Sequence, residues 1–524
     1  MKRKQGSSEL RCNSINLQIA RVPPRSPVLC GVQKLQPFFP PIECLFKTES
    51  VERVSEFGIK FPETIISING ETATFNSGDI RIHPKITMLL NPYKWMKGIN
   101  LELPSSSEQS KEIHSKLQSP NNAAYVGSLL SAVLSQSRCQ HFPRVFGVYT
   151  GVSSEFTLDI SDDYEELCER PWFSKNVGKT FDLKLNESQG NIIQYTRTAR
   201  LPLDLGEEVE LEDISELHII HSDHTAASEF KRIFEETDEA DSESQSGVST
   251  SYIFDIDSES EYSIDEDDED DEPFAWATFK NVPVQLTIME KLEGTFYDLI
   301  TQIPDPEKHY AWMCQIVFAL AYAQRNFGLT HNDLHGNNVM FVKTEKEFFY
   351  YSHAGIGYRV PTHGYLIKII DFDRGIGYVK LPGMKEPRMF MSDQFEADNE
   401  AGGQYNIEPF YKKSVPHIKP NPSFDLTRLA TSLFWDLYPG GPFYDDYKNG
   451  RLFKLFIKWM TLPDGSSILF HKSNPKIDRY YGFTLYKAIV RYCKDTAIPR
   501  KEIGEFSDFV GDIPPEEIPI MIDL

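Results

Sequence analysis

The chain has 524 residues, seven cysteines and a net charge of −23, long enough to hold a catalytic region in two parts with insertions. It contains no run of about 18 apolar residues, and Met1-Lys2-Arg3-Lys4-Gln5-Gly6 lacks an apolar signal core, which predicts a soluble, non-secreted protein that engages no membrane. The cysteines (Cys12, Cys30, Cys44, Cys139, Cys168, Cys314, Cys493) are scattered, odd in number and never spaced as CxxC, which argues against a disulfide framework or zinc site and for a reducing compartment.

Residues 1–50 are rich in Pro, Ser and Arg without sustained periodicity and read as an irregular N-terminal arm. Over 51–100, runs such as Thr64-Ile65-Ile66-Ser67-Ile68 and Ile86-Thr87-Met88-Leu89-Leu90 alternate with Gly-containing turns, the pattern of an antiparallel sheet. Residues 121–136, apolar and small, predict a helix, and Phe142-Pro143-Arg144-Val145-Phe146-Gly147-Val148-Tyr149 a strand. A large insertion, about 151–275, follows. Its segment 235–272 holds 18 Asp and Glu and no Lys or Arg, leaving −5 for the rest of the chain. Such a like-charge block repels itself and is expected to be a disordered linker. Two sharper readings are a contact for a basic partner and a phosphoacceptor tract, since Ser242, Ser244, Ser258, Ser260 and Ser263 sit among carboxylates. Despite a mildly basic tail (Lys2, Arg3, Lys4, Arg11, Arg21, Arg25), the charge balance predicts no specific nucleic-acid binding.

Beyond the insertion, Val284-Gln285-Leu286-Thr287-Ile288-Met289-Glu290 reads as an apolar strand running toward Gly294. Between 310 and 326, Met313, Ile316, Val317 and Leu320 trace one buried helical face, with Gly328 as a stop. Val339-Met340-Phe341-Val342 and Leu366-Ile367-Lys368-Ile369-Ile370 predict two paired strands. Residues 374–422 lack periodicity, a helix opens at Ser423-Phe424-Asp425, and apolar segments around 452–462 and 483–492 complete a helical second half.

The octet His331-Asn332-Asp333-Leu334-His335-Gly336-Asn337-Asn338 precedes the first paired strand, and Asp371-Phe372-Asp373 ends the second. His-x-Asp followed after four residues by Asn, then an Asp-Phe pair, is the layout of a kinase catalytic loop and metal loop. Transfer of a γ-phosphoryl group from ATP needs a carboxylate near the acceptor hydroxyl and oxygen ligands that hold Mg²⁺ against the phosphates. Asp333 suits the first role, and Asn338 with Asp371 the second. The bland alternative is a polar turn between a core helix and a hairpin. Met289 would face an adenine pocket, and Glu290 and Leu292 would offer it backbone groups. Lys85 matches the strand lysine that contacts the α and β phosphates, against the reading of a surface lysine. Asp425 is the candidate buried anchor of the catalytic loop, against an ordinary helix N-cap.

On His83-Pro84-Lys85-Ile86-Thr87-Met88-Leu89-Leu90-Asn91-Pro92-Tyr93-Lys94-Trp95-Met96-Lys97-Gly98, Asn122-Ala123-Ala124-Tyr125-Val126-Gly127, Asp159-Ile160-Ser161-Asp162-Asp163-Tyr164, the octet and Gly402-Gly403-Gln404-Tyr405-Asn406, residues 80–520 resemble the protein-kinase-like proteins of nucleocytoplasmic large DNA viruses. The resemblance implies a serine/threonine kinase made in the cytoplasm of an infected cell, with packaging in virions as one destination.

Departures from the general kinase pattern keep other readings open. No Gly-x-Gly-x-x-Gly precedes Lys85; Asn76-Ser77-Gly78-Asp79 is the small turn available to approach phosphates. No Glu within 121–136 can pair with Lys85, and Glu112 is the nearest upstream acid. Asp373 stands where kinases carry Gly, which restricts the backbone or adds a carboxylate to the metal shell. His335 replaces the usual lysine and is expected to stabilise transferring charge. The resulting expectation is an α+β, two-lobed protein-kinase-like fold, with an antiparallel-sheet N-lobe (51–292, carrying the acidic insertion) and a helical C-lobe (293–524). Its activity would be ATP- and Mg²⁺-dependent phosphorylation of Ser or Thr on proteins. A small-molecule phosphotransferase and a pseudokinase scaffold are the competing expectations.

Overall fold

The computed structural model describes residues 17–24, 26–45, 54–99, 115–161, 163–186, 192–195, 274–381, 384–472, 478–480 and 482–522. The acidic tract at 235–272 and Glu112 lie outside them. The chain is mixed α and β, with antiparallel sheets and several helices.

Part of the N-terminal segment expected to be irregular is ordered. It forms β1 (Gln18–Arg21), β2 (Val28–Leu29) and β3 (Val32–Gln36), followed by a 3-10 turn at Pro40–Leu45. Leu17, Val32, Phe39 and Ile42 are buried. These strands are too short to show a period; β2 and β3 pair with each other across Cys30-Gly31, while β1 pairs with β4 and β3 also with the distant β8. Next come β4 (Phe57–Lys60), β5 (Ser67–Asn69), β6 (Thr72–Phe75) and β7 (Gly78–Met88), then the short helix α1 (Pro92–Met96) and the longer α2 (Ala123–Ser135). Asn122 caps α2, its side chain accepting from the Ala124 N–H.

Strand β8 (Val145–Asp159) runs past the expected start of the insertion at 151. It is followed by α3 (Tyr164–Glu169), α4 (Pro171–Asn176), β9 (Asp182–Asn186) and β10 (Ile192–Tyr195). Phe173, Phe181 and Leu183 from this region pack into the sheet core, so the described part of the insertion extends that sheet. At its centre lies β11 (Ala275–Glu290), which pairs antiparallel with β7 on one side and β8 on the other. Covered on both faces, β11 is buried from Val284 to Met289, with the polar Gln285 and Thr287 alternating among its apolar residues. Val282, Val284, Leu286 and Ile288 enter the sheet core, while Met289 joins a second, larger core.

That second core is built around a long buried helix. After β12 (Gly294–Thr295) and α5 (Phe296–Gln302) comes α6 (Pro306–Phe327). The Asp305 side chain accepts from the Glu307 and Lys308 N–H groups, Pro306 occupies the first turn, and Gly328, at φ 53°, closes the helix. Strand β13 (Val339–Lys343) pairs with β16 (Tyr365–Ile369), as the sequence pattern predicts. Between them is a hairpin, β14 (Phe348–His353) and β15 (Ile356–Pro361). The rest comprises β17 (Ile376–Val379), β18 (Arg388–Met391), α7 (Phe424–Leu437), α8 (Arg451–Met460), α9 (Gly482–Tyr492), α10 (Pro499–Glu502) and β19 (Ile520–Met521). No helix among the described residues is long and apolar enough to cross a membrane.

The packing of α6 against the hairpin is concentrated at Phe318, which is fully buried and stacks on Tyr351 with ring centroids 4.1 Å apart. Truncation there leaves a large cavity in a close-packed interior. Phe318→Ala is therefore expected to cost about 3–5 kcal/mol in urea-induced unfolding. A loss below about 1 kcal/mol would mean that this core collapses around the cavity or is loosely packed.

Candidate functional site

The loop 330–338 joins α6 to β13, and its backbone is held from below by Asp425. That residue lies in the first turn of α7 and is fully buried. Its two carboxylate oxygens accept from the His331 and Asn332 N–H groups, each at 2.9 Å. Asp425 thus acts across the fold rather than as a local cap. Asn332 adopts φ 67°, a left-handed conformation that Asn tolerates better than most residues. Its amide nitrogen donates to the Thr330 and Arg374 carbonyls, and its oxygen accepts from the Tyr405 hydroxyl. The His331 Nε2 donates to the Ile370 carbonyl at 2.7 Å, and its ring packs 5.2 Å from that of Phe372.

This scaffold brings the octet and the Asp-Phe-Asp turn together. The pairing of β13 with β16 places Asn338 beside Ile370, whose N–H donates to the Asn338 carbonyl at 3.0 Å. The Asn338 side-chain nitrogen donates to the Asp333 carbonyl (2.9 Å) and to His335 Nε2 (3.1 Å), so its oxygen is the atom left to serve as a ligand. Asp371 sits at φ 62°, so the left-handed backbone falls on this residue and not on Asp373. From the sheet, Lys85 places Nζ 2.8 Å from Asp371 Oδ1 and 2.9 Å from Asp373 Oδ2. The surface-lysine reading is set aside: its side chain is 26% exposed and bridges two elements.

Electrostatics separates these groups. Burial works against the charged form of Lys85, but Asp371 and Asp373 outweigh it and raise its pKa. For Asp371, burial is likewise opposed by Lys85, and the net direction is downward. Asp373 moves upward, because burial and the Asp371 charge exceed the pull of Lys85. Asp333 accepts from the Tyr486 hydroxyl at 2.7 Å and lies 3.5 Å from Arg374. Burial alone would raise its pKa; Arg374 and Tyr486 reverse this and hold it low. Burial pushes His335 down, so a neutral ring accepts the Asn338 amide. The charge-stabilising role expected for His335 requires the protonated form that burial disfavours.

At the strand end, Met289 and Leu292 are buried. The Glu290 N–H donates to the Arg144 carbonyl, leaving the Glu290 carbonyl as the backbone group it can offer. Its side chain is bound by the Lys368 ammonium and the Arg144 N–H. The turn expected to approach phosphates is at the wrong end of its strand. Asn76-Ser77-Gly78-Asp79 opens β7, about 23 Å from Lys85 at roughly 3.3 Å per residue. Instead, the β5–β6 turn with Gly70 at φ 57° approaches the middle of β7, where the Ile82 N–H donates to the Glu71 carbonyl.

Among the described residues no group of three or more His, Cys, Asp or Glu is placed to hold a metal ion. Mg²⁺ needs no such cage, since it is commonly held by one or two protein ligands together with phosphates and water. The Asp371 carboxylate and the Asn338 oxygen fit that requirement. Sequence reasoning missed Tyr486, Arg374 and Arg428. Arg428 stacks 4.9 Å from the Tyr486 ring. Arg374 adjoins the Asp-Phe-Asp turn and could have been flagged, whereas Tyr486 comes from a distant helix with no local signal. No family model and no curated protein matches this chain.

Removing the Asp425 carboxylate would strand two buried N–H groups, each costing about 1–3 kcal/mol. Asp425→Ala is accordingly expected to lower unfolding free energy by roughly 2–6 kcal/mol in equilibrium denaturation. A change under about 0.5 kcal/mol would show that the loop amides find other partners.

Proposed function

We propose that this protein is an ATP- and Mg²⁺-dependent phosphotransferase with a two-lobed, protein-kinase-like fold, using Ser or Thr hydroxyls of proteins as acceptors. In this reading the sheet core is one lobe and the helical core the other. The observation that carries it is the convergence of Lys85, Asp333, Asn338 and Asp371 from separate elements into one cluster, on a loop anchored by Asp425. Short polar motifs recur by chance. Their assembly with a lysine from a remote strand is much harder to reach by chance.

Each residue then has a distinct task. Lys85 holds phosphate oxygens. Asn338 and Asp371 would hold Mg²⁺, which supplies charge neutralisation on the phosphates. Asp333 orients the acceptor hydroxyl and receives its proton; its lowered pKa keeps it ionised at neutral pH. Adenine would lie against Met289 with the Glu290 carbonyl and the Leu292 N–H as its partners. The proposed setting, an infected cell or virion, is supported by the sequence resemblance. A second reading, a small-molecule phosphotransferase, is favoured by one observation: Tyr486 and Arg374 crowd both oxygens of Asp333, leaving room for a compact acceptor.

Asp333→Asn keeps size and hydrogen-bonding reach while removing the charge, so phosphoryl transfer is expected to fall about 10²–10⁴-fold with Mg-ATP affinity near wild type. Asp371→Ala should weaken the Mg²⁺ dependence of nucleotide binding as well as the rate, and Asn338→Ala should give a milder form of the same defect. Labelled ATP incubated with protein acceptors, with small alcohols and with neither measures transfer and separates the two acceptor classes. Wild-type turnover in Asp333→Asn would overturn the assignment. Wild-type protein that binds Mg-ATP yet transfers to no acceptor would identify a pseudokinase.

A further inference from the structure

Among the described residues, Lys85 has no glutamate partner of the kind a phosphate-holding lysine ordinarily has. In protein kinases that lysine is fixed by a Glu on the neighbouring helix, and the corresponding helix α2 carries no charged residue at all over 123–135. Where α2 meets the Asp-Phe-Asp turn stands Gly127. A Cβ built there would lie 1.8 Å from Asp373 Oδ1, 2.9 Å from its Cγ and 3.2 Å from its Cα. Any side chain at 127 would therefore displace the Asp373 carboxylate. Gly in a helix interior costs about 1 kcal/mol relative to Ala, a cost offset here by the space it opens.

We propose that Asp373 is the positioning residue for Lys85, doing from the Asp-Phe-Asp turn what a helix carboxylate would otherwise do, with Gly127 as the complementary cavity. This rests on the phosphotransferase reading for its catalytic meaning. Asp373 Oδ2 lies 2.9 Å from Lys85 Nζ and 3.5 Å from Thr87 Oγ1, and Oδ1 lies against Gly127. Oδ2 is thus bound by β7 while Oδ1 is packed against α2, a placement that turns Asp373 to the lysine and the helix and sets it apart from Asp371. The helix itself is docked at this level, since Ser128 Oγ lies 2.8 Å from Thr287 Oγ1 and Thr287 is the register partner of Lys85. The Asp373 side chain is 17% exposed and that of Asp371 is 40% exposed. The Asp373 pair is therefore the less screened of the two, and it still holds Lys85 when Asp371 turns to a metal ion. The missing helix Glu and the Asp in place of Gly become two halves of one exchange.

The full-length protein tests this with Asp373→Asn, Gly127→Ala, Asp373→Gly, and the double variant Asp373→Gly with Gly127→Glu. Two readouts are followed: the rate at which an amine-reactive reagent labels Lys85, read by mass spectrometry, and KM for ATP separately from kcat. Asp373→Asn keeps the shape of the side chain, so a merely structural role would leave both readouts unmoved. Each single variant is expected to label Lys85 several-fold faster and to lose about tenfold in kcat/KM. The double variant, which moves the carboxylate back to the helix, should return both to within about threefold of wild type. Wild-type labelling in Asp373→Asn, or a double variant no better than Asp373→Gly, would overturn the proposal; the latter is the outcome expected of a metal ligand. If labelling follows the expected pattern while no form transfers phosphate, the Lys85 pairing stands and the phosphotransferase reading fails.

Discussion

Two adjacent backbone N–H groups, those of His331 and Asn332, converge on the one buried carboxylate of Asp425, and the geometry of the cluster follows from that contact. A left-handed Asn332 is sustained only where the surroundings over-determine it, and here its backbone and both ends of its side chain are bound. With that residue fixed, Asp333 leaves the loop in one direction and His331 reaches the Ile370 carbonyl. The Ile370 N–H in turn holds the Asn338 carbonyl. A short chain of hydrogen bonds thus ties the anchor under the loop to both candidate metal ligands, with no flexible segment between them.

Charge is arranged around this frame so that buried ionic groups find opposite partners, as a low-dielectric setting demands. Lys85 lies between Asp371 and Asp373, Arg374 between Asp333 and Glu400, and Lys368 beside Glu290. Three cations thereby join the sheet, the turn after β16 and the strand end at Glu290. Because each carboxylate is poised by a neighbour, the pKa values of Asp371 and Asp373 diverge although they are two residues apart. Asp371, whose pKa is held down, is suited to a cation, while the Asp373 carboxylate pairs with the lysine.

Elements whose identity is written in local pattern were legible. The helix expected over 121–136 is α2, bounded by Asn122 and Gln136. Met313, Ile316, Val317 and Leu320 are buried in α6 as expected, but so is every residue from His309 to Ala323, so the helix runs through the core with no exposed face there before Gly328 stops it. The pairing of β13 with β16 was expected from two apolar runs, while the hairpin β14–β15 inserted between them was not. What stayed hidden was short or had remote partners. Strand β3, in a two-residue hairpin with β2, joins the sheet through its register with β8, the far half of β8 pairs with Trp276 and its neighbours on β11, and β19 pairs in parallel with Tyr351.

The same division runs through the candidate site. Sequence by itself singled out Asp333, Asn338 and Asp371 as the candidates, because they lie in spaced motifs whose residue types match what phosphate and magnesium would require. It also exposed what was missing, a helix carboxylate for Lys85. Only the tertiary structure decided how that absence is met, since Asp373 and Gly127 are far apart in the chain and become neighbours when α2 docks on β11. It likewise decided that Tyr486 and Arg374 close over Asp333. Motif spacing encodes groups that act within one loop. Contacts between loops depend on packing, which no local pattern records.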